Sequence, residues 1–245
     1  MKTVLIAQAR MNSTRLPGKV LKAVLDKPLL TYFVERLRQA SQIQQIIIAT
    51  TINTADEPIV ALCRKLSVPF MRGAEADVLS RYYDAAVLAE ADIIVRVTAD
   101  CPLVDPALID ETVSYFKENI HRFDYVSNSL TATYPRGMDV EVCAFAALRE
   151  AFLEATEAVD REHVTPFLYT QPTRYRIGEI HAPVNLSQHR WTVDTAEDFD
   201  LIRRLIETLY PLKPEFNLAD ILDTLSKHPD WPLINAHITQ KSLGE

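Results

Sequence analysis

The sequence predicts an α/β domain built on a doubly wound, mostly parallel sheet, with helices on both faces and a small mixed β insertion. Three observations lead there. Short β-rich apolar runs recur in the first half of the chain, nearly continuous rather than alternating, as in strands covered on both faces. Segments with apolar residues at helical spacing separate those runs. No Gly/Ser-rich linker divides the 245 residues, a length that suits one large domain.

Thr3 to Gln8, Gln45 to Thr51 and Asp92 to Thr98 are the three clear strand runs, and Val68 to Met71 is a shorter one. Helices are predicted between them over Leu29 to Ala40, Asp56 to Leu66 and Val78 to Glu90. Asp105 opens another helix as N-cap, with Pro106 at its first position. This β-α alternation requires a parallel sheet with right-handed crossovers. The second half is mixed. Tyr125 to Ser127, Met138 to Cys143, Arg174 to His181 and Arg190 to Val193 read as strands. Phe145 to Ala155 and Arg161 to Tyr169 read as helices. Thr195 caps a long helix through Leu209, and Asp220 to Lys227 is a last short one. Three stretches of one domain result, over 1–124, 125–190 and 191–245.

Composition narrows the function. With 48% hydrophobic residues the chain can bury a sizeable core. Its net charge of -7 argues against a broad basic surface for nucleic acid or anionic lipid. Cys63, Cys101 and Cys143 are far apart and form no C-x-x-C pair, which argues against a disulfide framework or zinc site and suits a reducing, cytoplasmic location. Ala7-Gln8-Ala9 imitates a signal-peptidase site, but the preceding apolar run is too short and Arg10 follows at once. No run approaches the roughly 20 apolar residues that cross a bilayer.

In an open parallel sheet, ligands bind beyond the carboxyl ends of the strands. Three informative segments fall there. The first, Arg10-Met11-Asn12-Ser13-Thr14-Arg15-Leu16-Pro17-Gly18-Lys19, follows the first strand and carries three cations, two hydroxyls and one glycine. Arginine forks and a lysine charge suit a triphosphate and departing pyrophosphate, and a solvated basic loop is an equal alternative. Neither G-x-x-x-x-G-K-[ST] nor G-x-G-x-x-G is present. The second is Thr98-Ala99-Asp100-Cys101-Pro102, where Asp100 is either a magnesium ligand or a turn residue. The third is Arg190-Trp191-Thr192-Val193-Asp194-Thr195. Asp194 and Asp100 would together suit one Mg²⁺, although the plainer reading of Asp194 is favourable charge at a helix N-terminus.

Weaker candidates are Arg72-Gly73, for a base or ribose pocket, and Asp139 with Glu141 on one strand face. Asp160-Arg161-Glu162-His163 places charges at a helix start, where capping is the simpler account. No histidine forms an H-E-x-x-H cluster, and no G-x-S-x-G occurs, which argues against a serine hydrolase.

Taken together, several segments resemble the cytidylyltransferase family of the spore-coat polysaccharide biosynthesis protein F type, which is similar to the CMP-sialic acid and CMP-Kdo synthetases. The resemblance rests on Gln8-Ala9-Arg10-Met11-x-Ser13-Thr14-Arg15-Leu16-Pro17-Gly18-Lys19, on Arg72-Gly73 with Asp77-Val78-Leu79-x-Arg81-Tyr82-Tyr83, and on Arg96 to Leu103. It continues through Gly137 to Val142, Asp160 to Pro166 and Trp191 to Thr195, spanning about residues 3 to 205. It implies a Rossmann-like nucleotide-diphospho-sugar transferase fold and a homodimer, with a nucleotide-binding half over 1–124, an acceptor-binding and dimerisation part over 125–190, and a metal-ligand segment with closing helices over 191–245. It also implies Mg²⁺-dependent transfer of CMP from CTP to a sugar, an acidic one, with pyrophosphate released.

By matching position, the resemblance assigns Ala7, Ala9, Arg10, Ser13, Arg15, Lys19, Arg72, Thr98 and Asp100 to the nucleotide. Arg15, Lys19 and Asp100 become the catalytic set, and Asp100 and Asp194 the metal ligands. Asn128, Asp139, Glu141, Arg161 and His163 fall on the sugar side. Rival readings are another NTP or a sugar-phosphate acceptor on the same fold, a glycosyltransferase, and a non-catalytic nucleotide-binding protein. A glycosyltransferase commonly carries Asp-x-Asp where this chain has Asp100-Cys101-Pro102.

Overall fold

The computed structural model describes residues 1–240. The last five residues of the stretch expected over 191–245 therefore lie outside the described residues. From the N-terminus, β1 (Thr3–Gln8) leads through a loop to a short hairpin, β2 (Ala23–Val24) and β3 (Lys27–Pro28), and then to α1 (Leu29–Leu37). Alternation follows: β4 (Gln45–Thr51), α2 (Glu57–Lys65), β5 (Phe70–Gly73), α3 (Val78–Leu88), β6 (Ile93–Thr98) and α4 (Pro106–Glu118). The second half holds β7 (Tyr125–Ser127), β8 (Glu141–Ala144), α5 (Phe145–Glu154), α6 (Ala158–His163), α7 (Pro166–Tyr169) and β9 (Ile177–Glu179). It closes with α8 (Ala196–Leu209) and α9 (Leu218–Lys227).

Seven strands form one sheet in the order β5-β4-β1-β6-β8-β7-β9. β1, β4, β5 and β6 are parallel, and β8 runs against both β6 and β7. The mixed β portion thus extends the main sheet. β1 is buried on both faces, so its alternate residues feed two cores. Leu5 and Ala7 pack with Phe33 and Leu37 of α1 and with Leu205 of α8. Val4 and Ile6 pack on the other face with Leu79 and Tyr82 of α3 and Leu148 of α5. Each such side chain contributes about 1.5–3 kcal/mol of transfer free energy.

Several expected elements change. Arg190 to Val193 is no strand: only an isolated bridge joins Arg136 to Arg190. The amide of Trp191 bonds the Arg136 carbonyl, and that of Val193 crosses to the Asp100 carbonyl, so no ladder propagates. Strand Met138 to Cys143 shrinks to β8, because Asn128 takes the neighbouring strand's place at Met138 and Val140. The helix expected over Arg161 to Tyr169 is two pieces, α6 and α7, separated at Val164, whose φ is +76°. Strand Arg174 to His181 reduces to β9, with Arg174 drawn instead to Glu150 and Glu154 of α5. The β2–β3 hairpin was not expected. Leu25 and Asp26 at its tip both have positive φ, the geometry of a type I′ turn, without the Asn-Gly pair that announces one.

Candidate active site

A cleft of about 890 Å³ opens above the carboxyl ends of β1 and β6 and extends across β8. One wall is the loop after β1. Buried Asp56 anchors that loop by accepting from the Met11 amide at 2.7 Å and from the Thr51 amide and hydroxyl. Gly18, at φ +67°, turns the chain back so that its amide reaches the Met11 carbonyl at 2.9 Å. A 3₁₀ turn begins at once, Val20 enters the core, and Lys19 is left facing the cleft.

The opposite wall joins two segments distant in sequence. Asp100 follows β6 in a turn where the Cys101 amide meets the Thr98 carbonyl, and the Val193 amide bonds the Asp100 carbonyl at 2.8 Å. The segment 189–191 is stitched to Arg136 by two backbone bonds. Gly137, at φ +101°, permits this close approach, since a Cβ there would lie 2.6 Å from the Trp191 carbonyl carbon. The α8 cap belongs to Thr195 and Asp198, which form a reciprocal capping box. That leaves the Asp194 carboxylate free to face the cleft.

Lys19 Nζ lies 2.6 Å from Asp100 Oδ2 and 2.8 Å from Asp194 Oδ1, so two carboxylates 94 positions apart converge on one cation. Arg15 reaches Asp194 Oδ2 at 3.1 Å from the loop, and Arg190 reaches the same oxygen at 2.8 Å from behind. Burial by itself raises the Asp100 carboxyl, but the Lys19 charge and the hydrogen bonds of Lys19 and Thr98 hold it below its ordinary value. Burial likewise lowers the Lys19 ammonium, and the two carboxylates raise it above its ordinary value.

Because the folded value of Asp100 is depressed, its stabilisation is complete above the unfolded value of about 3.9 and is lost as pH falls through the lower folded value. As pH is lowered from about 5 to 2, the unfolding midpoint of Asp100→Asn should fall less steeply than that of the parent. Parallel acid limbs in a thermal melt series would refute this.

Of the residues expected at the site, Ala9, Arg10, Ser13, Arg15 and Lys19 line the cleft from the first wall. Thr98, Asp100 and Asp194 line it from the second, and Asp139, Glu141 and His163 from the far end. Arg10 is partly exposed, 3.6 Å from Glu75 and 3.7 Å from Glu162. Burial lowers the His163 imidazole below its ordinary 6.5, which leaves it neutral at pH 7.

Four expected residues do not line the cleft. Ala7 is wholly buried in β1. Arg72 donates to the carbonyls of Thr51 at 2.8 Å and Asn53 at 3.1 Å and pairs with Glu57, so it ties β5 to the turn after β4. Its neighbour Gly73 has a packing reason, because a Cβ there would meet Arg81 Cγ at 2.7 Å. Asn128 is consumed by the backbone of Met138 and Val140, each at 2.8 Å. Arg161 pairs with Asp77 and donates to the Phe152 carbonyl, on the α3–α5 side. Glu141 lines the cleft, but Arg96, Tyr125 Oη and Thr165 Oγ1 already hold its carboxylate.

Sequence reasoning passed over Arg96, Arg136, Tyr125 and Tyr169 on the cleft wall, and Arg190 behind it. Arg96 left a signal, a charge inside an otherwise apolar strand run, which demands a buried partner. A smaller cavity of about 210 Å³, lined in part by Tyr32, Arg36, Tyr210 and Phe216, contains none of the expected residues.

Two carboxylates with Lys19, Arg15 and Arg190 around them at strand ends can bind a polyphosphate and a divalent ion together. Among the described residues no group of three or more His, Cys, Asp or Glu converges, so a metal here would have two protein carboxylates. That donor set fits Mg²⁺, which takes its remaining ligands from water and phosphate.

The chain is similar over most of its length to several known proteins. An uncharacterized protein of Methanocaldococcus jannaschii is 39% identical over 100% of this chain and 99% of its own length. The spore coat polysaccharide biosynthesis protein SpsF of Bacillus subtilis is 32% identical over 92% of this chain and 94% of its own. Among solved structures, a cytidylyltransferase from Leptospira borgpetersenii superposes with a TM-score of 0.91 at 31% identity, covering 99% of this chain and 100% of that one. The family described as cytidylyltransferase matches residues 4–218, a stretch that contains the loop after β1, Asp100 and Asp194. The chain belongs to the cytidylyltransferase family and is a nucleotidyltransferase.

Proposed function

We propose that the protein transfers CMP from CTP to an acidic sugar and releases pyrophosphate, with Mg²⁺ held by Asp100 and Asp194. One observation carries this reading: a lysine and an arginine from the loop after β1 meet two converging carboxylates inside a cleft large enough for a nucleotide and a sugar. SpsF, by its name, acts in polysaccharide biosynthesis, which favours a sugar acceptor.

Reaction by in-line attack of a sugar hydroxyl on the α-phosphorus asks the protein for positioning and charge neutralisation. Arg10, Ser13, Arg15 and Lys19 bind the triphosphate, and Ala9 and Thr98 border it. Lys19 and Arg15 stabilise the charge that develops on pyrophosphate. The metal, when bound, polarises phosphate oxygens and makes the attacking hydroxyl more acidic.

The acceptor lies over β8, against Asp139 and His163. The Arg136 side chain is 42% exposed there and its pairing with Asp139 is loose, at 3.6 Å, so its guanidinium can turn to an acceptor carboxylate. Arg72, Asn128 and Arg161 take no contact role in this reading, and Glu141 shapes the site through Arg96. The stretches 1–124, 125–190 and 191–240 contribute to one site and act as one domain. We place the enzyme in the cytoplasm as a homodimer. Among the described residues no helix is long and apolar enough to cross a membrane.

Pyrophosphate release measured over an NTP panel, with ulosonic acids, neutral sugars and sugar phosphates as acceptors, tests the assignment. The expected result is release with CTP and an acidic sugar that stops when EDTA removes the metal. Preference for another NTP, or for a sugar phosphate, would overturn it.

A further inference from the structure

The family match ends at residue 218, yet chain beyond it reaches Arg190 and Asp198, the pair that stands behind Asp194. After α9 the segment turns back, and Asn235 packs against Arg190 with only 2% of its surface exposed. Asn235 Nδ2 donates to the Arg190 carbonyl at 2.9 Å and to Asp198 Oδ1 at 2.8 Å. Gln240 Oε1 accepts from Arg190 Nη1 at 2.7 Å, at the border of the cleft.

Arg190 itself forks onto Asp198. Nε donates to Oδ1 at 2.9 Å, and Nη2 donates to Oδ2 at 3.1 Å and to Asp194 Oδ2 at 2.8 Å. Asp198 is wholly buried, and its Oδ2 also accepts the Asp194 amide at 3.0 Å. Asp194 is therefore gripped at its backbone and at one carboxylate oxygen, while Oδ1 faces Lys19.

We propose that residues 235–240 form a strap that orients Asp194 for cation binding, with Arg190 as the positioning residue and Asn235 as its lock. The inference rests on the metal role given to Asp194 above. A bidentate fork fixes the plane of the guanidinium, and Asn235 holds the far side of both Arg190 and Asp198. Without that lock the Asp194 carboxylate can rotate and spend both oxygens on Arg15 and Arg190. Groups that orient a metal-binding carboxylate are typically worth 10–100-fold in metal affinity.

Mn²⁺ titrated into the full chain by calorimetry with CTP present, beside a thermal melt, reads this directly. Asn235→Ala should raise the Mn²⁺ half-saturation about tenfold or more. Turnover should recover at high metal with KM for CTP unchanged. Arg190→Lys keeps the charge but loses the fork, and should weaken Mn²⁺ binding instead of rescuing it. Gln240→Ala, at the surface, should shift Mn²⁺ binding in the same direction by a smaller factor. It carries the test if Asn235→Ala does not fold. Folded Asn235→Ala and Gln240→Ala proteins that bind Mn²⁺ as the parent does would overturn the strap alone. A parent protein that binds no Mn²⁺ even with CTP would overturn the metal reading and the strap together.

Discussion

Lys19→Met should lower the rate of pyrophosphate release from CTP by a factor of about a hundred or more, the scale of removing one preorganised charge partner. The geometry makes this side chain costly to lose. Its side chain is 12% exposed, and its ammonium lies within hydrogen-bond distance of both Asp100 and Asp194. A hydrophobic side chain of similar length leaves two carboxylates facing each other with Arg15 and Arg190 as their remaining cations. A second, opposite effect should accompany the loss. The ammonium bridges the two carboxylates where we place the metal, so the variant should bind Mn²⁺ more tightly than the parent in the absence of CTP. Calorimetry checks the binding, and a coupled pyrophosphate assay checks the rate. Near-normal release by the variant would remove Lys19 from the catalytic set.

Glu141→Ala should cost about 3–5 kcal/mol of folding stability, the usual consequence of stripping one partner from a buried ion pair. Glu141 is 7% exposed and meets Arg96 directly. Tyr125 and Thr165 donate to the same carboxylate. Without it Arg96 is an uncompensated cation inside the sheet, and two buried hydroxyls lose their acceptor. Glu141→Gln retains an acceptor and should cost less. Urea unfolding measures both. If Glu141→Ala unfolds with the parent's midpoint and only the acceptor KM rises, the residue is a sugar contact and not a structural partner.

The contrast between these two residues shows which parts of the site were legible. Lys19 was readable because its loop follows a buried strand and ends in Gly18, whose positive φ the turn requires. Glu141 looked like a sugar ligand because it shares a motif with Asp139. Only the pairing of β6 with β8, which sets Arg96 opposite Glu141, reveals its partner. Arg72, Asn128 and Arg161 likewise have partners that only the fold displays: Glu57, the backbone of Met138 and Val140, and Asp77. A polar side chain in a family motif either meets ligand or satisfies a buried backbone group, and the motif looks identical in both cases.

Apart from the β2–β3 hairpin, the strands and helices of the first 120 residues follow from local pattern. A strand buried on both faces must be apolar throughout, and a helix on a sheet must be apolar at its own period. The loop cations are equally local. Local pattern left Asp194 at a helix start, the resemblance paired it with Asp100, and only the tertiary structure brings its carboxylate to Lys19. Its neighbours in sequence read as a helix start, and Thr195 with Asp198 do cap α8. The carboxylate turns instead to Lys19 because the Val193 amide is tied to Asp100 and Gly137 lets Arg136 hold the Trp191 segment. Such long-range bonds depend on the path of the whole chain, which no local pattern encodes.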